Sequence, residues 1–261
     1  TFPGSTDFRS FTSARVAAQR EDTVSYTTKS VTANIERTRG FGRGQFGSIY
    51  LQLQKEDSTV GGDTTDTFLL VPGIRFSQSD YDNVIRPAKG FHYKLEARCT
   101  TQSFGSDVGF AQFLGYGDVL LPLAGRFSLK MRGQAAATSM NGNFLDVLVS
   151  FRFFTGGDNS VRGYAYQSLG PNNAQGEVVG GKHLLVGSVE LEGAIGQNWG
   201  AAVFYDTGNA FDDLDSLTLA QGAGVGIRYY TPVGPIRLDI ARQVGVSDAE
   251  YRFHFTVGMQ F

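Results

Sequence analysis

Residues 251–261, Tyr-Arg-Phe-His-Phe-Thr-Val-Gly-Met-Gln-Phe, alternate without a break. Phe253, Phe255, Val257, Met259 and Phe261 share one face, and Arg252, His254, Thr256, Gly258 and Gln260 the other. A period of two is the signature of a β-strand with unlike faces. The same dyad recurs upstream. In 90–101, Phe91, Tyr93, Leu95, Ala97 and Cys99 oppose His92, Lys94, Glu96, Arg98 and Thr100. In 184–193, Leu185, Val189 and Leu191 oppose Ser188, Glu190 and Glu192. In 126–134, Phe127, Leu129 and Met131 oppose Arg126, Lys130 and Arg132, and in 235–242, Ile236, Leu238 and Ile240 oppose Arg237 and Asp239. A soluble β-sandwich and a membrane barrel both produce this pattern. Aromatic residues at the ends of the apolar sets, and several charges per strand on the opposite face, favour lipid outside and a wet lumen inside.

The pattern places strands at about 11–20, 28–39, 45–55, 67–79, 91–102, 108–120, 126–138, 184–193, 200–206, 222–230, 235–242 and 251–261, twelve in all, with no helical period of useful length. The expected fold is therefore all-β, an antiparallel transmembrane barrel. Outer-membrane barrels have short periplasmic turns and longer external loops. With the C-terminus periplasmic, the short connections 121–125, 194–199 and 231–234 fall inside. The acidic stretch 56–66, the stretch 208–221 and the very long connection 139–183 fall outside. Within the last, 144–154 (FLDVLVSFRFF) has the look of a further strand. A full crossing there would put the N-terminus outside the cell, so it is read as a strand-like loop.

Composition narrows the class. A formal charge of -2 gives no basic footprint for nucleic acid. One cysteine and three scattered histidines offer neither an internal disulfide nor a metal cluster, so no metal and no cofactor is expected. No run of about 18 apolar residues exists to form a membrane helix, and 1–10 lack the basic and apolar regions of a signal peptide. Enzyme-like matches are weak. Residues 176–182 fit G-x-x-x-x-G-K, but His183 stands where Ser or Thr is needed. Asp206-Thr207-Gly208 lacks the second carboxylate of an aspartic protease, and Asp212, Asp213 and Asp215 read as a solvated turn. No catalytic residue is assigned.

The long connection carries RFFTGGDNSVRGYAYQSLGP over 152–171, with Val161-Arg162-Gly163-Tyr164 at its centre. This segment resembles the barrel-assembly and translocation superfamily to which BamA and TamA belong. The tetrapeptide is similar to the VRG-aromatic tip of the family's sixth external loop, and the preceding Phe-Phe-x-Gly-Gly-Asp run is similar to the TamA version. Phe204-Tyr205-Asp206-Thr207-Gly208 resembles the F-x-D-x-G strand motif, and 224–239 the following hairpin. Pro87-Ala88-Lys89-Gly90 resembles a recurrent periplasmic turn, and the strand ending in Phe261 resembles the C-terminal assembly signal. The match runs from about residue 66 onward; the first sixty residues match only in alternation.

The resemblance implies that loop six folds into the barrel and that Arg162 pairs with Asp206. Parity permits this, since Ala201, Val203 and Tyr205 form the outward set and leave Phe204 and Asp206 facing the lumen. On residue chemistry alone, a solvated loop arginine and a turn aspartate remain the alternative. Gly222, Gly224 and Gly226 form one inward row, which either makes room for an inserted loop or relieves barrel curvature. Cys99, facing outward, reads as an inert small apolar residue.

The resemblance further implies an outer-membrane factor of a Gram-negative bacterium, TamA-like and not an enzyme. Such a factor helps insert or translocate β-barrel or autotransported clients through a lateral seam. Its partners are outer-membrane lipid, client proteins and, in the TamA branch, TamB, with POTRA domains upstream. A two-partner-secretion translocator and a passive porin are the competing readings. Twelve strands fall short of the family's sixteen. The chain is thus expected to be one barrel domain over 1–261 that lacks the POTRA domains and first strands, against a smaller closed barrel or edge pairing with a second copy.

Overall fold

The computed structural model describes residues 10–60, 62–83, 86–232 and 234–258. Among them twelve strands form one sheet in chain order: β1 (Ser10–Asp22), β2 (Tyr26–Gly42), β3 (Gln45–Val60), β4 (Asp63–Tyr81), β5 (Gly90–Thr100), β6 (Phe110–Pro122), β7 (Phe127–Met140), β8 (His183–Ile195), β9 (Trp199–Phe211), β10 (Ala220–Thr231), β11 (Gly234–Val244) and β12 (Tyr251–Val257). Each pairs antiparallel with its sequence neighbours; β1 and β12 are the edges, with no ladder joining them among the described residues. Nearest-neighbour order is what short hairpins enforce, and the dyad in the sequence becomes two faces. Val203 (52% exposed) and Tyr205 point out, whereas Phe204 and the fully buried Asp206 point in. Phe253, Phe255 and Val257 face outward. Met259 and Phe261 lie outside the described residues.

Several strands are longer than the sequence reading made them. Of the stretch 56–66, expected as an acidic external loop, 56–60 and 63–66 are paired strand: Glu56 lies opposite Thr67 and Asp57 opposite Asp66 in the β3–β4 hairpin. Loop and lumen are both polar, so composition does not separate them, but parity does, and Glu56 points inward and is buried. The stretch 208–221 shrinks likewise, because β9 continues to Phe211 and β10 begins at Ala220. Its turn carries Asp212, Asp213 and Asp215 beside the 3-10 turn Leu214–Ser216, all three carboxylates solvated except for the Asp212 contact to the Lys182 amide at 3.1 Å.

The largest departure concerns 144–154. It is not strand-like. It forms two 3-10 turns, Phe144–Asp146 and Val149–Phe151, and then a bridge from Phe153 to Gly181. Its apolar residues serve a plug. Phe144, Val147, Leu148 and Phe151 pack on the inward side chains Leu69, Val71 and Phe110 of β4 and β6. Full burial of each such side chain contributes roughly 1.5–3 kcal/mol. Arg152 ties the plug together, donating from Nε to the Val147 carbonyl at 2.9 Å, and from its terminal nitrogens to those of Leu145 (2.6 Å) and Val179 (3.1 Å). Burial pushes the Arg152 pKa down to about 10, partly offset by Glu56 and Asp146, so it stays charged at neutral pH. Glu56 accepts from the Ser150 amide at 3.3 Å and anchors the plug to β3.

Candidate functional site

Loop six, residues 141–182, occupies the lumen, and its tip meets β8 to β12. Val161 is fully buried and Arg162 nearly so. The Arg162 guanidinium donates from Nε to Asp206 at 2.7 Å and from one terminal nitrogen to the other Asp206 oxygen at 3.0 Å. Its second terminal nitrogen reaches Glu190 at 2.8 Å and Asp239 at 3.0 Å. The Arg162 amide also donates to Asp206, at 3.1 Å. A planar fork with five donors suits such multi-carboxylate contact in a way a lysine would not.

The F-x-D spacing now has a physical meaning. Residues two apart on a strand share a face, so Phe204 and Asp206 stand side by side on the lumen wall. The guanidinium centre lies 3.3 Å from the Phe204 ring centroid while its edge is held by Asp206. Gly208 continues the row: a Cβ there would approach the Leu185 carbonyl at 2.6 Å and Val186 Cα at 2.8 Å, so the glycine permits close approach of β8.

Three further charged residues, Arg228 and Asp239 of the 224–239 hairpin and Glu190 of β8, complete the cluster. Arg228 of β10, almost fully buried, donates to Glu190 at 2.8 Å and pairs with Asp239. Ser188 donates to Asp206 at 2.6 Å. Two guanidinium groups thus face three carboxylates. Burial opposes the charge on Arg162, but Asp206 and Glu190 outweigh it and raise the pKa above the usual arginine value. Parity had marked Glu190 and Asp239 as charged lumen residues, and Arg228 continues the inward row of Gly222, Gly224 and Gly226; cross-strand register and the path of the loop decide that they meet.

The glycines accommodate this arrangement. A Cβ on Gly222 would collide with the Arg162 carbonyl, one on Gly224 with the Phe204 ring and the Ile240 carbonyl, and one on Gly226 with Asp239. Of the two readings of the inward row, room for the inserted loop accounts for Gly222. Gly163 has φ +97°, a left-handed conformation in which its backbone lies against Arg242 and Gln243 of β11. Its amide donates to His254 Nε2 on β12 at 3.0 Å, its carbonyl accepts from Gln243 at 3.2 Å, and His254 Nδ1 pairs with Asp158. Tyr164 borders a cavity of about 700 Å³ between the loop and β12.

A few residues further on, the loop grips the opposite edge. Ser25 donates to the Gln167 carbonyl at 2.7 Å, the Tyr26 hydroxyl donates to the Gln167 side chain, and the Tyr166 hydroxyl donates to Glu21 at 3.4 Å. Residues 158–167 therefore touch β12 and the β1–β2 hairpin alike.

The Omp85 superfamily domain matches residues 3–261. The chain belongs to the Omp85 superfamily. Its first sixty residues, which carry alternation but no motif, fall within that match. A curated relative, the outer membrane protein assembly factor BamA of Nitratidesulfovibrio vulgaris, is 27% identical over 207 residues, which is 73% of this chain and 25% of that protein. The chain thus spans about a quarter of that relative. The crystal structure of BamA from Haemophilus ducreyi lacking POTRA domains 1–3 superposes with a TM-score of 0.79 at 17% identity, over 95% of this chain and 58% of that one. CdiB from Acinetobacter baumannii gives 0.58 at 15%, over 88% and 42%. At these identities the two structures establish the fold. This Omp85 protein is an outer-membrane β-barrel protein of Gram-negative bacteria.

Proposed function

We propose that this Omp85 barrel is an assembly or translocation factor, not an enzyme, that helps insert or pass β-barrel or autotransported clients at the seam of its sheet. The observation that carries the reading is the loop-six tip, pinned by a buried five-residue charge cluster across β8 to β11 and joined to β12 and to the β1–β2 hairpin. A plug held this firmly is the opposite of an open diffusion pore. An edge strand with unpaired amides and carbonyls can template an incoming strand by β-augmentation. On this reading the chain is a single barrel domain preceded in its full-length protein by further strands and POTRA domains. The lipid bilayer and client proteins are its partners, and TamB is a partner if the protein belongs to the TamA branch. The likeness to CdiB supports a two-partner-secretion translocator as the second reading. Reconstitution of the full-length protein in liposomes tests the proposal: accelerated insertion of an unfolded barrel client is expected, whereas a stable, large ohmic conductance with no such acceleration would establish a porin. Three POTRA domains upstream would favour a TamA-like protein, two the secretion reading.

A further inference from the structure

The outward face of β1 to β3 carries a feature the lumen site does not use. Arg20 lies directly opposite Lys29, and Lys29 opposite Asp57, all exposed and all facing away from the lumen. Of the next outward positions toward the membrane, Ala18 and Val31 are apolar and Lys55 stands opposite Val31; the band then continues through Val16, Ile35, Leu51 and Leu53. Two residues of strand span about 6.6 Å. Arg20 and Lys29 therefore stand just beyond the hydrocarbon edge, on the side of the β1–β2 turn, which is the external side.

Like charges directly opposite on one face of a sheet are destabilising. Yet among the described residues neither Arg20 nor Lys29 has a carboxylate within ion-pair distance, although Asp57 is the cross-strand neighbour of Lys29. The nearby Lys55 is engaged by Asp66 at 3.2 Å. Arg20, Lys29, Lys55 and Asp57 surround a concavity of about 440 Å³ whose membrane side is Ala18 and Val31. At the same rim the outward residues Cys99, Ala111, Ser139, Leu185 and Gln221 carry no charge, and the outward Arg242 of β11 lies over the Tyr251 ring, 5.4 Å from its centroid.

We propose that this concavity is a binding site for the phosphate headgroup of an anionic membrane lipid. Arg20 and Lys29 hold the phosphate between them, and Ala18 and Val31 lie along the start of its acyl chains. A guanidinium and an ammonium side by side suit the oxygens of one phosphate. The apolar side of the concavity selects a lipid over a free anion, because only a lipid has hydrocarbon to place there. Bound phosphate also removes the repulsion between the two cations, so occupancy stabilises the β1–β2 pairing.

The test is native mass spectrometry of the full-length protein in detergent, with phosphatidylglycerol and phosphatidylcholine of identical chains as probes. A basic residue at a membrane surface is worth about 5-fold in affinity for anionic lipid, so the pair should give about 25-fold preference for phosphatidylglycerol. Arg20→Gln with Lys29→Gln is expected to abolish that preference while leaving heat-modifiability intact. Arg37→Gln, at the opposite rim of the same strands, is expected to retain it, and Asp57→Asn to strengthen it. Equal retention of the two lipids by the native protein would overturn the proposal, as would an unchanged preference in the double variant. Displacement of bound phosphatidylglycerol by millimolar inorganic phosphate alone would assign the site to a free anion and overturn the lipid reading.

Discussion

Removing the Arg162 side chain separates a pinned loop from one that merely fills space. In Arg162→Ala, Glu190 and Asp239 retain Arg228, whereas Asp206, which has no exposed surface, keeps only the Ser188 hydroxyl and the loop amide. The loss falls mainly on one buried carboxylate. Breaking such a pair costs about 3–5 kcal/mol, and water in the lumen places the expected value near the lower bound, about 3 kcal/mol. Asp206→Ala should cost less, since the Arg162 guanidinium loses its two bonds to Asp206 but keeps Glu190 and Asp239. The double variant should cost clearly less than the sum, leaving a coupling of about 1.5–3 kcal/mol. Arg162→Lys should fall between, because an ammonium cannot serve Asp206, Glu190 and Asp239 in one plane. The single tryptophan, Trp199, sits at the start of β9 with its ring 4.7 Å from Tyr229, and reports unfolding by urea in lipid vesicles. Trypsin offers an independent reading at Arg152 and Lys182, the basic residues of the loop that remain in Arg162→Ala. A coupling within about 0.5 kcal/mol of zero, the scatter of independent sites, would refute the reasoning, as would an Arg162→Ala loop that stays resistant to trypsin.

Phe204→Leu keeps an apolar wall but removes the ring under the guanidinium, and should lower stability by about 1–2 kcal/mol in the same urea assay; no change would mean that the stacking is incidental. Gly222→Ala puts a methyl group into the Arg162 carbonyl, so the tip should lift and the loop become trypsin-sensitive with the barrel still heat-modifiable; a protected loop would count against close packing. His254→Phe removes the acceptor for the Gly163 amide and the partner of Asp158, for an expected loss of about 1–3 kcal/mol. Placing the tip wholly on β8 to β11 would require His254→Phe to be neutral. Phe151→Ala should cost about 3–5 kcal/mol, because that ring is almost fully buried among Leu69, Val71 and Phe110; a near-native urea midpoint would show that the plug collapses around the gap.

Much of this barrel is legible in two-residue periodicity, because lipid and lumen impose opposite demands on successive residues. Residues 235–242 and 251–257 show it most clearly, and the inward parity of Phe204 and Asp206 follows from Val203 and Tyr205 alone. What fails is the distinction between kinds of polar surroundings. Glu56 looked like a loop acid because a lumen face and an external loop share a composition. Residues 144–154 looked strand-like because an apolar run has no period that separates a lipid-facing strand from a plug. A clue was present in Phe68-Leu69-Leu70-Val71, apolar on both faces, as a strand must be when lipid lies on one side and a packed loop on the other. Glu190 and Asp239 were visible as inward charges, and Arg228 went unremarked although it continues the Gly222, Gly224 and Gly226 row; their meeting depends on stagger between strands and on where a loop of forty residues or so returns, neither of which short-range pattern encodes.

The grip of residues 158–167 on both His254 and the β1–β2 hairpin makes the loop a tether between sheet edges. Anything that draws β1 away from β12 does work against the Gln167 and Gly163 hydrogen bonds, and anything that releases those bonds lowers the work of separation by the same amount. Linkage makes the relation symmetric. A polypeptide strand lodged at either edge and a mutation in the loop then act on one equilibrium from opposite ends. The affinity of the edge for a strand becomes a measure of how tightly the loop is latched, readable without observing the loop at all.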